Sequence, residues 1–131
     1  MTTFVLLHGA YQGPWIWQPV ADRLRAQGHK VFVPCLDGCA ELNHAARPGI
    51  TTETHGDQIA ELIRLEDLSD VVLVGTSSGG MVMAAAAERA REHVARVVFA
   101  DALALFDGEK IRDIVTTPAS IEGDVLIGPD R

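Results

Sequence analysis

Residues 71–82 read VVLVGTSSGGMV: four strand-forming apolar residues, then three hydroxyl residues fenced by glycines, then an alanine-rich run. Within it, Gly75-Thr76-Ser77-Ser78-Gly79 fits the G-x-S-x-G pattern of a nucleophile elbow, a tight turn between a buried strand and a helix. Such a turn thrusts one serine hydroxyl away from the sheet. Small residues two before and two after it are required, because strand and helix backbones nearly touch there. The chemistry is nucleophilic attack by a hydroxyl, which needs a neighbouring base and donors for the negative charge that develops.

The frame centred on Ser77 places Gly75 and Gly79 where small residues are needed; the frame centred on Ser78 puts Thr76 there instead. Ser77 is therefore the candidate nucleophile. Ser78 then contributes its backbone N–H, which lies at a helix N-terminus where donors are free and the dipole favours an anion. The pattern also arises by chance in glycine- and serine-rich turns of α/β proteins, and that reading stays open. A P-loop is excluded, since no G-K-[ST] follows. The glycine spacing does not fit a dinucleotide fingerprint.

A second stretch, LLHGAYQGPWIW (6–17), is a strand ending in His-Gly, a loop, and an aromatic helix start. It suits the loop that supplies the other oxyanion donor, with the Ala10 backbone N–H as candidate and Gly9 allowing close approach to substrate. His8 reads as a residue that shapes this loop and is not placed as a base. Trp15 and Trp17 read as core packing.

Four apolar runs set the framework: 4–7, 30–34, 71–75 and 95–100. They are rich in valine and do not alternate, as in strands covered on both faces. Helical patterns separate them. Residues 14–28 carry Trp17, Val20, Ala21 and Leu24 on one side. Residues 54–68 open on a variant capping box at Thr54 and Asp57, with Ile59, Leu62, Ile63 and Leu65 inward. A third helix runs from Gly79 to His93. The alternation predicts an α/β class with a doubly wound, mostly parallel sheet and ligands beyond the carboxyl ends of its strands. Residues 36–53 form a long polar loop.

The 131 residues are 47% hydrophobic and 22% charged, with a net charge of −7. This describes a globular chain and disfavours nucleic acid as a partner. No run is long and apolar enough for a membrane span, and the N-terminus lacks the basic residues and cleavage site of a signal peptide, so a cytoplasmic location is expected. Cys35 and Cys39 lack the second pair that a zinc site needs and read as free thiols.

Taken together, VLLHGAYQGPWIW, GTSSGG and VVFADAL resemble the α/β-hydrolase superfamily, over residues 3 to about 108. The nearer likeness is to the branch of small carboxylesterases, plant methylesterases and hydroxynitrile lyases. PCLDGCA (34–40) departs from the PDLPGHG typical of the family, so Cys35 and Cys39 carry no family role. The resemblance implies cleavage of a carboxylic ester, or a carbamate, through an acyl-enzyme on Ser77, with the Ala10 and Ser78 amides holding the oxyanion. It implies a small-molecule ester as partner and neither metal nor organic cofactor. A lyase acting on cyanohydrins is the alternative. Such enzymes often carry a hydroxyl residue in the first loop, where this chain has Gly9, and this leans toward esterase. A non-catalytic binding protein on the same fold is the third reading.

In this fold the chain order is Ser, acid, His. Of the five histidines, His8, His29, His44 and His55 precede Ser77. His93 lies roughly 20 Å away along the following helix. The resemblance therefore implies a base beyond Arg131, making residues 1–101 the N-terminal part of a hydrolase core and 102–131 the start of a cap. That portion alone is expected to be inactive. Leu103, Leu105, Phe106 and Ile114 are candidates for lining a pocket or for packing. Asp101, at the end of the fourth strand, is a candidate acid; a strand-end residue bonded to neighbouring loops is the preferred reading.

Overall fold

The computed structural model describes residues 1–102. Four strands, β1 (Thr3–Leu7), β2 (Lys30–Phe32), β3 (Val71–Ser77) and β4 (Val94–Ala102), form one sheet in the order β2-β1-β3-β4, with every neighbouring pair parallel. The helices α1 (Gln18–Ala26), α2 (Thr52–Leu65) and α3 (Gly79–Arg89) make the crossovers. The chain moves one way from β1 to β2, then returns past β1 to β3 and β4. With crossovers of constant hand, this reversal sends α1 to one face and α2 and α3 to the other. The doubly wound class read from the sequence is the one observed.

The two faces are legible in β1. Val5 and Leu7 join Ile59, Ile63, Leu73, Met83 and Ala86 in one buried cluster, while Leu6 joins Trp17, Ala21 and Val31 in the other. Alternate side chains of a strand point to opposite faces, so one short apolar run serves both cores. Helices α2 and α3 meet closely. A Cβ on Gly56 would stand 2.6 Å from the Ala85 Cβ, which is why the contact is made of small residues. Arg89 of α3 bonds Glu53 and Asp57 of α2 across that seam.

Several sequence expectations shift. The segment at 14–28 opens with a 3₁₀ turn, Pro14–Trp17, before α1 begins at Gln18. Pro19 lacks an N–H and fits only a helix's first turn, so the regular helix starts beside it. Val20, expected inward, is 41% exposed, and Leu65 is 77% exposed. Leu65 follows Ile63 by two positions, about 200° around the helix, and so faces away from the core. The cap of α2 is Thr51, not Thr54 with Asp57. Its hydroxyl accepts from the Thr54 amide, and the Thr54 hydroxyl accepts from the Thr51 amide. The third helix ends at Arg89, with a separate 3₁₀ turn at Arg91–His93. The polar loop 36–53 holds a 3₁₀ segment at Ala40–Ala45. Leu103, Leu105, Phe106, Ile114 and the rest of the cap expectation lie outside the described residues.

Candidate active site

The sheet's winding reverses between β1 and β3, and in doubly wound sheets the carboxyl ends of the strands flanking such a reversal are where ligands gather. The two motifs singled out from sequence both end there. Partners in β1 and β3 are offset by 68 positions, from Thr3↔Val71 through Leu7↔Gly75. The same offset continues beyond the strands. A Cβ on Gly9 would lie 2.8 Å from the Ser77 Cβ, and the Ala10 amide donates to Ser78 Oγ at 2.7 Å, again 68 positions apart.

Ser77 closes β3 with φ +53, in the left-handed region that non-glycine residues seldom adopt. Such a conformation costs on the order of 1–2 kcal/mol and persists only where its surroundings impose it. The surroundings are three glycines. A Cβ on Gly75 would meet the Gly79 carbonyl oxygen at 2.8 Å, and one on Gly79 would meet the His8 and Leu7 oxygens at 2.7 and 2.8 Å. Each of these neighbours is main chain, which cannot swing aside. Helix α3 begins at once, with Ser78 as its N-cap and Gly79, Gly80, Met81, Val82 and Met83 buried.

The loop after β1 is held from below. His8 is fully buried, the one buried polar or charged side chain among the described residues. Its Nε2 accepts from the Leu36 amide at 3.0 Å, so the proton sits on Nδ1, which donates to the Gly9 carbonyl at 2.9 Å. Burial lowers its pKa below the usual 6.5, with the bond to Gly9 opposing that shift. A neutral ring is what both bonds require. His8 thus ties the turn after β1 to the segment after β2.

Two glutamines complete the frame, and sequence reading missed both. Gln12 Oε1 accepts from the Gly9 amide at 2.7 Å, and the Gln12 amide donates to the Gly9 carbonyl at 3.2 Å. Gln58 of α2 accepts from the Asp37 amide and donates to the Cys35 carbonyl, at 2.8 and 2.9 Å. Gln12 lies within the motif at 6–17 but drew no role there, and Gln58 lies in no motif. The one signal for Gln12 is a polar residue set inside a glycine-bounded turn.

Asp101 is exposed, near the end of β4, with φ +54. It adjoins Ala102, the register partner of Ser77, so the edge of the site has a carboxylate on the neighbouring strand. The histidines other than His8 are engaged elsewhere. His29 accepts from the Thr2 amide, His44 bonds the Glu41 carbonyl, His55 the Asp37 carbonyl and His93 the Leu68 carbonyl. None of the five bonds Ser77. Trp17 packs into the core as expected. Trp15 does not: it is 59% exposed, with its ring lying against Gly13. The Cys35 and Cys39 thiols are free, and partial burial pushes both pKa values up.

A family model described as the alpha/beta hydrolase fold matches residues 2–121. The chain belongs to the alpha/beta hydrolase family. Among curated hydrolase relatives, a carbendazim hydrolyzing esterase from Nocardioides sp. (strain SG-4G) is 37% identical over 111 residues, covering 85% of this chain and 46% of that protein. Methylesterase 8 of Arabidopsis thaliana is 33% identical over 97 residues, 73% of this chain and 36% of the relative. Among solved structures, an extracellular alpha/beta-hydrolase from a Paenibacillus species superposes with TM-score 0.79 at 30% identity, covering 94% of this chain and 48% of that one. The chain thus spans less than half the length of these hydrolases.

Proposed function

We propose that this hydrolase cleaves a carboxylic ester, or a carbamate, of a small organic molecule through an acyl-enzyme on Ser77. The observation that carries the reading is the left-handed Ser77 at the crowded bend, packed against Gly9 of the loop whose Ala10 amide bonds the neighbouring Ser78. In the proposed reaction the Ser77 oxygen bonds to the ester carbonyl carbon while its proton passes to a base. The carbonyl oxygen becomes an anion held by the Ala10 and Ser78 amides. Collapse expels the alcohol, which takes the proton back from the base, and water then releases the acid by the same two steps. Because all five histidines are bonded away from Ser77, we place the base outside residues 1–102. Asp101 is the acid candidate nearest the serine along the strand ends.

Two lines support the esterase assignment over a cyanohydrin lyase. The curated relatives named above are ester-cleaving proteins by name. At position 9, where such lyases often carry a hydroxyl residue, a Cβ would stand 2.8 Å from the Ser77 Cβ, so a side chain does not fit this bend.

The test uses the protein together with whatever sequence its gene places beyond Arg131. A fluorophosphonate should label Ser77, identified by peptide mass, and p-nitrophenyl esters should be turned over without release of cyanide from cyanohydrins. Ser77→Ala should abolish both labelling and turnover. Labelling that persists in that variant overturns the assignment.

A further inference from the structure

The bond between the Ala10 amide and Ser78 Oγ bears on how the same site works before substrate arrives. Ala10 is solvent-exposed, so its N–H has water available, yet it is paired at 2.7 Å with a side chain 68 positions away. Ser78 is also the residue whose own amide, at the N-cap of α3, would be the second oxyanion donor. One residue therefore supplies one donor and presents an oxygen to the other.

We infer that Ser78 Oγ is a placeholder for the substrate oxygen. It occupies the Ala10 donor in the empty site and rotates away when a carbonyl or tetrahedral oxygen takes that donor. The inference rests on the serine-hydrolase reading above. A serine side chain has three staggered wells, so exchanging one acceptor for another needs a single χ1 rotation and no backbone movement. While in place, the bond joins the loop after β1 to the start of α3, and keeps the gap between them at the width of one oxygen. The exchange trades an N–H···O bond for an N–H···O bond. Substrate therefore gains from Ala10 only the excess over what Ser78 already supplied. For a neutral hydroxyl against water that forfeit is about 1 kcal/mol, or roughly fivefold in binding. The anion of the tetrahedral state, a stronger acceptor than a hydroxyl, displaces it readily. Ser78 acts here through Ala10 and is a positioning residue in its side chain, whatever its amide does.

The experiment compares the parent protein with Ser78→Ala and Ser78→Thr, again with any sequence beyond Arg131 included. Amide exchange at Ala10, read by NMR in the unliganded protein, should be slow in the parent and in Ser78→Thr, and about fivefold faster in Ser78→Ala. Phosphonylation by a fluorophosphonate forms the Ser77 O–P bond, expels fluoride and sends the hydroxyl proton to the base. Its second-order rate should rise about fivefold in Ser78→Ala through tighter initial binding, and Ser78→Thr, which restores a hydroxyl, should reverse that rise. If the parent is labelled and Ser78→Ala is labelled equally fast or more slowly, the placeholder is wrong: the hydroxyl is then a bystander or a donor to the oxyanion. Unchanged Ala10 exchange in Ser78→Ala is equally fatal to it. A parent that resists labelling at Ser77 overturns the hydrolase reading itself, and the placeholder with it.

Discussion

Replacing Gly79 by alanine adds one methyl group where strand and helix backbones cross. That methyl would lie 2.7 Å from the His8 carbonyl oxygen and 2.8 Å from that of Leu7. An ordinary carbon–oxygen contact needs about half an ångström more, so the end of β1 and the first turn of α3 must part by that amount. Overpacking of this kind costs about 1–3 kcal/mol. Alanine's better helix propensity returns up to about 1 kcal/mol of it, leaving a net loss anywhere from about 0 to about 3 kcal/mol. The effect on chemistry should be larger than the effect on stability. The two segments forced apart carry Ala10 and Ser78, whose amides converge on one oxygen in the proposed reaction. Donors displaced by a fraction of an ångström lose much of an interaction worth about a hundredfold in rate. Gly79→Ala should therefore label with a fluorophosphonate at least tenfold more slowly than the parent while still unfolding cooperatively in urea. The control is Gly28→Ala. Gly28 has φ +90 with nothing within 4 Å of an added Cβ, so it carries conformational strain without collision. It should lose about 1 kcal/mol of stability and label at the parental rate. A Gly79→Ala protein with parental stability and parental labelling would refute the claim that backbone contact shapes this site.

Three further outcomes follow from the same geometry. Ser77→Gly should be more stable than Ser77→Ala by about 0.5–1 kcal/mol in urea unfolding, because glycine relieves the left-handed strain at φ +53 while its greater unfolded-state freedom offsets only part of that gain. Because burial lowers the pKa of His8, the unfolded chain binds a proton that the folded one refuses as pH falls through 6.5. The contribution is nil above that pH. Below it, stability drops by at most about 1.4 kcal/mol per pH unit until the folded pKa is passed, then levels off. In His8→Gln this part of the pH dependence should vanish from the urea midpoints measured between pH 5 and 8. Gln12→Glu keeps an acceptor for the Gly9 amide but sets a negative charge beside the loop that holds the oxyanion in the proposed reaction. It should leave the urea midpoint within about 0.5 kcal/mol and slow ester turnover by about tenfold or more, read as kcat/KM.

The elements were readable because each carries a local cause. Apolar runs without alternation gave β1 and β3 their existence and their burial on two faces. β4, read from the same pattern as covered on both faces, is instead the edge strand of the described residues and leaves Val97, Val98 and Phe99 38%, 40% and 46% exposed. The crowding around Ser77 was readable too, since Gly75 and Gly79 flank it at the spacing a tight bend demands. Boundaries were harder. Strand β2 stops at Phe32 although the apolar pattern runs on to Pro34, because a residue without an N–H cannot extend the ladder. β3 runs on to Ser77, two residues past its apolar run, since hydroxyl residues pair as well as valines do through their main chain. Gln12 and Gln58 escaped notice because a glutamine that bonds main chain looks the same in sequence as one that bonds water. His8 was placed correctly as a loop-shaping residue, but its partner Leu36 was invisible, being joined to it through an amide that every residue has.

What brings Ala10 to Ser78 is strand register, and no single motif encodes it. A one-residue slip of β1 along β3 would turn Val5 and Leu7 away from Ile59, Ile63 and Met83, so the two cores forbid it. A two-residue slip is subtler. It keeps every apolar side chain on its proper face, yet carries Ala10 about 7 Å along the strand from Ser78. Hydrophobic patterning does not distinguish that arrangement from the observed one. The glycines do. In the observed register Gly79 lies against the Leu7 and His8 oxygens and Gly9 lies against Ser77, each at a distance only a hydrogen can occupy. Slipped by two, those bare positions would face other residues, and side chains would take their places at the contact. The glycines that let the bend form therefore also select its partner loop, which is why Ser77 and Ala10, the nucleophile and first oxyanion donor of the proposed reaction, arrive together.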